Sequence, residues 1–196
     1  MSNINCAVIG VGYLGRFHAQ KYHILEEAHL LGVCDHNSDN AQRVAQELGV
    51  QAFTHYQDLF GQVQAVSIAA STKAHYAIAK DCLNHGIHVL LEKPMTETLQ
   101  EANELITLAQ QRGLKLQIGH MERFNPARLA LADHLDRPVF IDARRMAPFT
   151  PRGADVNVVL DLMIHDIDLI QTIVNSPIES IEAHGSYVLT STIDIA

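Results

Sequence analysis

An apolar run, Cys6-Ala7-Val8-Ile9, leads straight into Gly10-x-Gly12-x-x-Gly15, and a helical pattern of Leu14, Phe17, Ala19 and Tyr22 follows. Few sequence features restrict a fold as much as this order of strand, glycine turn and helix. Gly10 permits a tight turn, Gly12 lets backbone approach a ligand unobstructed, and Gly15 lets the helix pack close to the strand. The helix start then offers free N–H groups and the positive end of its dipole. That combination suits the pyrophosphate of a dinucleotide, with Tyr13 and Leu14 in the same turn. A second apolar run, Leu30-Leu31-Gly32-Val33-Cys34, ends in Asp35, twenty residues after Gly15. An acid there accepts the ribose 2′-hydroxyl of NAD and repels the extra phosphate of NADP, so NAD is the expected cofactor. A glycine turn in an unrelated α/β protein would look similar, and Asp35 could simply lead into the Asn37-Ser38 turn.

The next hundred residues alternate strands and helices. Ser38 is the expected N-cap of a helix through Ala41, Val44, Ala45 and Leu48, stopped at Gly49. Strands are expected at Gln51–Phe53, Ala65–Ala69, His88–Leu91 and Leu116–Ile118. Helices are expected at Tyr56–Phe60 (one turn), Ala74–Asn84, and from Thr96 or Thr98 to Gly113. This alternation predicts a parallel sheet with helices on both faces, spanning 1–119. Ligands bind such sheets at the carboxyl ends of the strands. Gly10–Gly15, Asp35, Ser71-Thr72, Glu92-Lys93 and Gly119-His120 all fall there.

The character changes after His120. Met121–Pro126 reads as a link into a short helix, Ala127–His134. Pro138–Arg145 alternates like a strand, Met146–Asn157 is a loop, Val158–Val174 an apolar helix and Ile178–Leu189 another strand. Residues 120–196 are thus expected to begin a second α/β domain. Two strands alone are marginal, and open sheet edges invite association.

Composition narrows the class. With 47% hydrophobic and 18% charged residues, the chain suits a globular core. A net charge of −8, with no basic cluster beyond a pair, argues against nucleic acid or an anionic membrane as partner. No apolar stretch is long enough to span a bilayer, and the N-terminus lacks a secretory pattern. The three cysteines, odd in number and far apart, read as buried free thiols in a reducing cytoplasm. The twelve histidines are scattered, which disfavours a metal cluster.

Some residues could carry chemistry. Lys93, at a strand's carboxyl end, could donate a hydrogen bond to a substrate oxygen; it could equally be a surface lysine paired with Glu92. Asp161 and His165 share a face of an apolar helix, with Asp168 nearby, as a general base and its orienting acid would. A plain surface Asp–His pair would show the same spacing. Thr72 and His75 flank a helix start, where capping and packing compete with cofactor contact. Arg123 and Arg144-Arg145 could bind phosphate or carboxylate, or form surface salt bridges.

Taken together, these stretches resemble the Gfo/Idh/MocA oxidoreductases. The matching residues are Val8-Ile9-Gly10-x-Gly12-x-x-Gly15-x-x-His18, Cys34-Asp35, Thr72-x-x-His75, His88-Val89-x-x-Glu92-Lys93-Pro94, Arg123-Phe124-x-Pro126 and Asp161-x-x-x-His165-x-x-Asp168. The resemblance implies a Rossmann domain, a doubly wound parallel sheet, followed by an α/β domain with a mostly antiparallel sheet that usually joins subunits into dimers or tetramers. It implies Lys93, Asp161 and His165 as catalytic residues. Ser71, Thr72, His75, Glu92 and Lys93 would join Gly10, Gly12, Tyr13, Leu14, Gly15 and Asp35 in holding NAD. His120, Arg123, Asn125 and Arg145 would bind substrate. Within the family, Gly119–Pro126 and Asp161–Asp168 look like the branch that oxidises sugar nucleotides; free polyols are the alternative substrates. Family members are longer, so the second domain is expected to be incomplete at residue 196. A non-catalytic NAD-binding module is therefore the other reading.

Overall fold

A computed structural model describes residues 3–135, 138–148 and 156–196. The chain divides into two compact units, Met1–Gly119 and His120–Ala196. The first contains β1 (Ile4–Ile9), α1 (Tyr13–Ile24), β2 (Ala28–Cys34), α2 (Ser38–Leu48), β3 (Gln51–Phe53), β4 (Ala65–Ile68), α3 (Thr72–Asn84), β5 (His88–Leu91), α4 (Leu99–Arg112) and β6 (Leu116–Ile118). All six strands run parallel in the order β3-β2-β1-β4-β5-β6. The order reverses between β1 and β4, the point at which an open α/β sheet leaves a crevice.

Register positions that crevice. Phe53, Cys34, Ile9, Ile68, Leu91 and Ile118 form one row across the sheet, so the strands end level. Beyond the row, Gly10 N–H donates to Cys34 O (2.8 Å), Ala69 to Ile9 (2.8 Å), Glu92 to Ile68 (3.0 Å) and Gly119 to Leu91 (2.8 Å). The first residue after each of these strands is therefore as fixed as the strand itself.

Alternating side chains on each strand make two cores. Cys6 and Val8 point to the face covered by α1 and α2, with Val33 and Val44. Ala7 and Ile9 point to the face covered by α3 and α4, with Ile78, Leu83 and Leu105. Caps set the helix ends. The Asn37 side chain, not Ser38, caps α2 by accepting from Asp39 and Asn40 N–H. An amide oxygen one residue earlier reaches these donors, and Ser38 becomes the first helical residue. Of the two threonines, Thr98 caps α4, in a reciprocal box with Glu101.

The second unit differs more from expectation. Met121–Phe124 is a 3₁₀ turn, α5 spans Pro126–Leu131, and another 3₁₀ turn covers Ala132–His134. The apolar helix opens with a wide π turn, Val159–Met163, and continues as α6 (Ile164–Val174). Pro138–Arg145 does not form the expected strand; Val139 and Phe140 are exposed. Ile178–Leu189 is also irregular, with one antiparallel bridge, Ser186 to Ile195. An alternating pattern becomes a strand only where a neighbour supplies N–H and C=O groups, and among the described residues only that single bridge does so. These described residues contain no antiparallel sheet beyond that bridge. Within the Met146–Asn157 loop, 149–155 lie outside the described residues. Among the described residues, no helix is long and apolar enough to cross a membrane, and no group of three potential metal ligands occurs.

All three cysteines are buried and free, as expected. Burial pushes the thiols up, Cys6 to about 11 and Cys34 and Cys82 to about 12, with nearby carboxylates adding to the last two. The thiolate is the reactive form. An aromatic disulfide reagent at neutral pH should therefore leave all three cysteines unmodified in the folded chain and titrate all three in denaturant.

Candidate functional site

The glycine turn sits at the carboxyl end of β1. Gly10 has φ +83°, and a Cβ there would lie 2.6 Å from Ala70 N. A Cβ on Gly15 would lie 1.8 Å from Gly10 O, so the start of α1 approaches the turn too closely for any side chain. Gly12 is different: a Cβ there would meet nothing within 4 Å. That open space above a helix N-terminus is the cradle a pyrophosphate needs, so the turn fits a dinucleotide. Tyr13 and Leu14 lie exposed on the first turn of α1.

Asp35 follows β2 and is buried. Its Oδ2 accepts Val11 N–H (2.9 Å) and its Oδ1 accepts Asn37 N–H (2.9 Å), while the exposed His36 ring lies 3.2 Å from Oδ1. The carboxylate thus braces the glycine turn, and each oxygen keeps lone-pair capacity for a ribose hydroxyl. Ser71, exposed, and Thr72, half-buried, open α3 after β4. His75 does not line the crevice. Its ring is buried, with Nδ1 2.9 Å from Pro94 O and Nε2 3.1 Å from Ala70 O.

Glu92 is likewise buried, and its carboxylate belongs to a network that residue spacing alone does not reveal. His18 Nε2 lies 2.9 Å from Glu92 Oε1, and His18 Nδ1 lies 2.6 Å from the Ser67 hydroxyl. Glu92 Oε2 accepts Lys93 N–H at 3.3 Å. Burial pushes the Glu92 carboxyl up, but the His18 imidazole and the Lys93 N–H outweigh it and hold the group below its usual value. Ser67 is a polar residue in an otherwise apolar buried strand, which is the one signal that could have pointed to the network. Lys93 itself is half-buried.

In the second unit, α6 and the turn before it carry Asp161, His165, Asp166 and Asp168. Arg145 grips Asp166 through two bonds of 2.9 Å, and Arg123 grips Asp168 with Nε 2.8 Å from Oδ2. Both guanidinium groups, candidates for substrate binding, are therefore occupied by carboxylates. Hydrogen bonds from the arginines, opposed by burial, hold both carboxyls below the usual range, and His165 adds to this. His120 Nδ1 lies 3.8 Å from Asp168. Asn125 is a helix cap: its Oδ1 accepts Ala127 N–H (3.0 Å) and its Nδ2 donates to Glu122 (3.1 Å).

A family model described as "Oxidoreductase family, NAD-binding Rossmann fold" (GFO_IDH_MocA) matches residues 4–120. The UDP-N-acetylglucosamine 3-dehydrogenase of Acidithiobacillus ferrooxidans is 42% identical over 197 residues, covering 100% of this chain and 62% of the relative. Its solved structure superposes with a TM-score of 0.91 over 99% of this chain and 64% of that one. The scyllo-inositol 2-dehydrogenase (NAD(+)) of Bacillus subtilis is 28% identical, covering 93% and 57%. The structure of GenD2 from gentamicin A biosynthesis, in complex with NAD, shares the fold at 22% identity and a TM-score of 0.80, over 90% and 55%. The chain spans less than two thirds of each of these proteins.

Two outcomes are expected from this geometry. Gly15→Ala should unfold the chain at markedly lower urea, because its Cβ has no room, whereas Gly12→Ala should keep the melting curve and lose NAD affinity by titration. Carboxyls held low in the fold stabilise it above the usual carboxylate value of about 3.9 and cease to as pH falls through their lowered values. Urea melts across acid pH should therefore show a loss of stability below about pH 4 that is smaller in Arg123→Ala than in the wild type.

Proposed function

The chain belongs to the Gfo/Idh/MocA oxidoreductase family, and from that premise we propose that it transfers a hydride between NAD and a hydroxyl-bearing carbon of a nucleotide sugar. The best-supported substrate is UDP-N-acetylglucosamine, oxidised at its 3-position. The observation carrying this reading is the 42% identity to a dehydrogenase of that sugar along the whole chain, against 28% to an inositol dehydrogenase.

The bound nicotinamide would accept or return the hydride, and the protein's residues would manage position and protons. The Gly10–Gly15 turn and the α1 N-terminus would hold the pyrophosphate. Asp35 would accept a ribose hydroxyl, and its charge would disfavour a 2′-phosphate, hence NAD over NADP. His165 would take the hydroxyl proton as general base, with Asp161 orienting it. Lys93 would donate a hydrogen bond to a substrate oxygen as negative charge develops there. Arg123 and Arg145, which grip Asp168 and Asp166, would steady the helix that carries His165 rather than bind substrate directly.

Incubation with NAD and either UDP-N-acetylglucosamine or myo-inositol, followed by the absorbance of reduced nicotinamide, tests the proposal. Reduction is expected with the nucleotide sugar, and His165→Ala should slow it by about a hundredfold or more. Faster turnover of the polyol would reassign the substrate. NAD binding without turnover of either compound would replace the enzyme with a binding module.

A further inference from the structure

Lys93 sits between two residues that are each held by a histidine, the half-buried His18 and the buried His75. On one side is Glu92. Its carboxylate accepts Lys93 N–H and faces Nε2 of His18, which comes from α1, the helix that begins at the glycine turn. Gly119 packs on the same carboxylate: a Cβ there would lie 2.7 Å from Glu92 Oε1. On the other side is Pro94, whose carbonyl is 2.9 Å from Nδ1 of His75, a residue of α3. The other nitrogen of each ring faces β4 or the residues just after it, with His18 Nδ1 2.6 Å from the Ser67 hydroxyl and His75 Nε2 3.1 Å from the Ala70 carbonyl. Helices α1 and α3 cover opposite faces of the sheet. Two rings, one from each face, therefore tie residues 92–94 to the middle of the sheet.

We infer that His18 and His75 are positioning residues for Lys93. Neither touches the reacting atoms. Each fixes the main chain beside the lysine, so the ammonium group starts from a backbone that cannot drift. His18 also joins the lysine's strand end to the helix that opens at the glycine turn. A buried polar group that loses its partner is costly, and that cost keeps both contacts closed. The inference rests on the role proposed for Lys93, but its main readout does not require turnover.

The two rings use opposite nitrogens, which provides a crossed test. A glutamine amide occupies about the place of Nε2 and an asparagine amide that of Nδ1. His18→Gln should therefore keep the bond to Glu92 and His18→Asn should lose it. At position 75 the order reverses: His75→Asn keeps the bond to Pro94 and His75→Gln loses it. Amide hydrogen exchange at Lys93 should rise about tenfold or more in His18→Asn and His75→Gln, and stay within about twofold in the other two. Exchange in β1 reports global stability in the same samples. Where turnover is measurable, the drop should fall on kcat, with KM for NAD unchanged. Should His18→Asn fail to fold, Glu92→Asp withdraws the carboxylate while residue 18 stays intact, and should give the same rise. Equal behaviour of Gln and Asn at both positions, or an unchanged Lys93 amide in His75→Gln and in Glu92→Asp, overturns the inference. Failure to bind NAD or turn over sugar, with the crossed pattern intact, would overturn the proposed function alone.

Discussion

The carbonyl oxygen of Gly10 occupies nearly the space that any side chain at residue 15 would need. That contact holds the start of α1 against the end of β1, and much else in the first unit follows from it. The helix N-terminus is brought to the switch point of the sheet, beside the open space at Gly12. Asp35 reinforces the turn from the neighbouring strand through Val11 N–H. A carboxylate buried at this place is held by two main-chain donors, which keeps it aimed.

Level strand ends extend the same order sideways. Because each strand stops in the same row, Gly10, Ala69, Glu92 and Gly119 form a second row of hydrogen-bonded backbone above the sheet. Polar side chains could be buried under this row only because each found a partner. His18, Ser67 and Glu92 satisfy one another across α1, β4 and the end of β5, and the His75 ring lies between the Pro94 and Ala70 carbonyls. Such networks stabilise little when averaged, yet they specify one arrangement strongly, since every broken bond leaves a dry polar atom.

The second unit relies on charge pairing. Two arginines from separate segments each grip an aspartate on α6, and these pairs tie chain with little regular structure to the helix. Several large apolar residues remain exposed there, among them Val139, Phe140 and Ile181. The alternating stretches that contain them have the composition of strands without a ladder to join.

Sequence alone determined the first unit almost completely. Its glycines, strand runs and helix stops are local signals, each with a local physical cause, and together they dictated the parallel sheet and the row of candidate residues at its carboxyl edge. Lys93 and Asp35 were legible because they end buried strands. What only the tertiary structure decided were the partners of polar groups. His75 and Glu92 have the spacing of ligand-binding residues but turn inward, and Arg123, Arg145 and Asn125 are already engaged within their own unit. His18 stood in the glycine motif by spacing, but what it does became visible only when its partners, forty-nine and seventy-four residues away, came within hydrogen-bond distance. A side chain's periodicity is written in its neighbours along the chain, but its hydrogen bonds are made with whatever folding brings beside it.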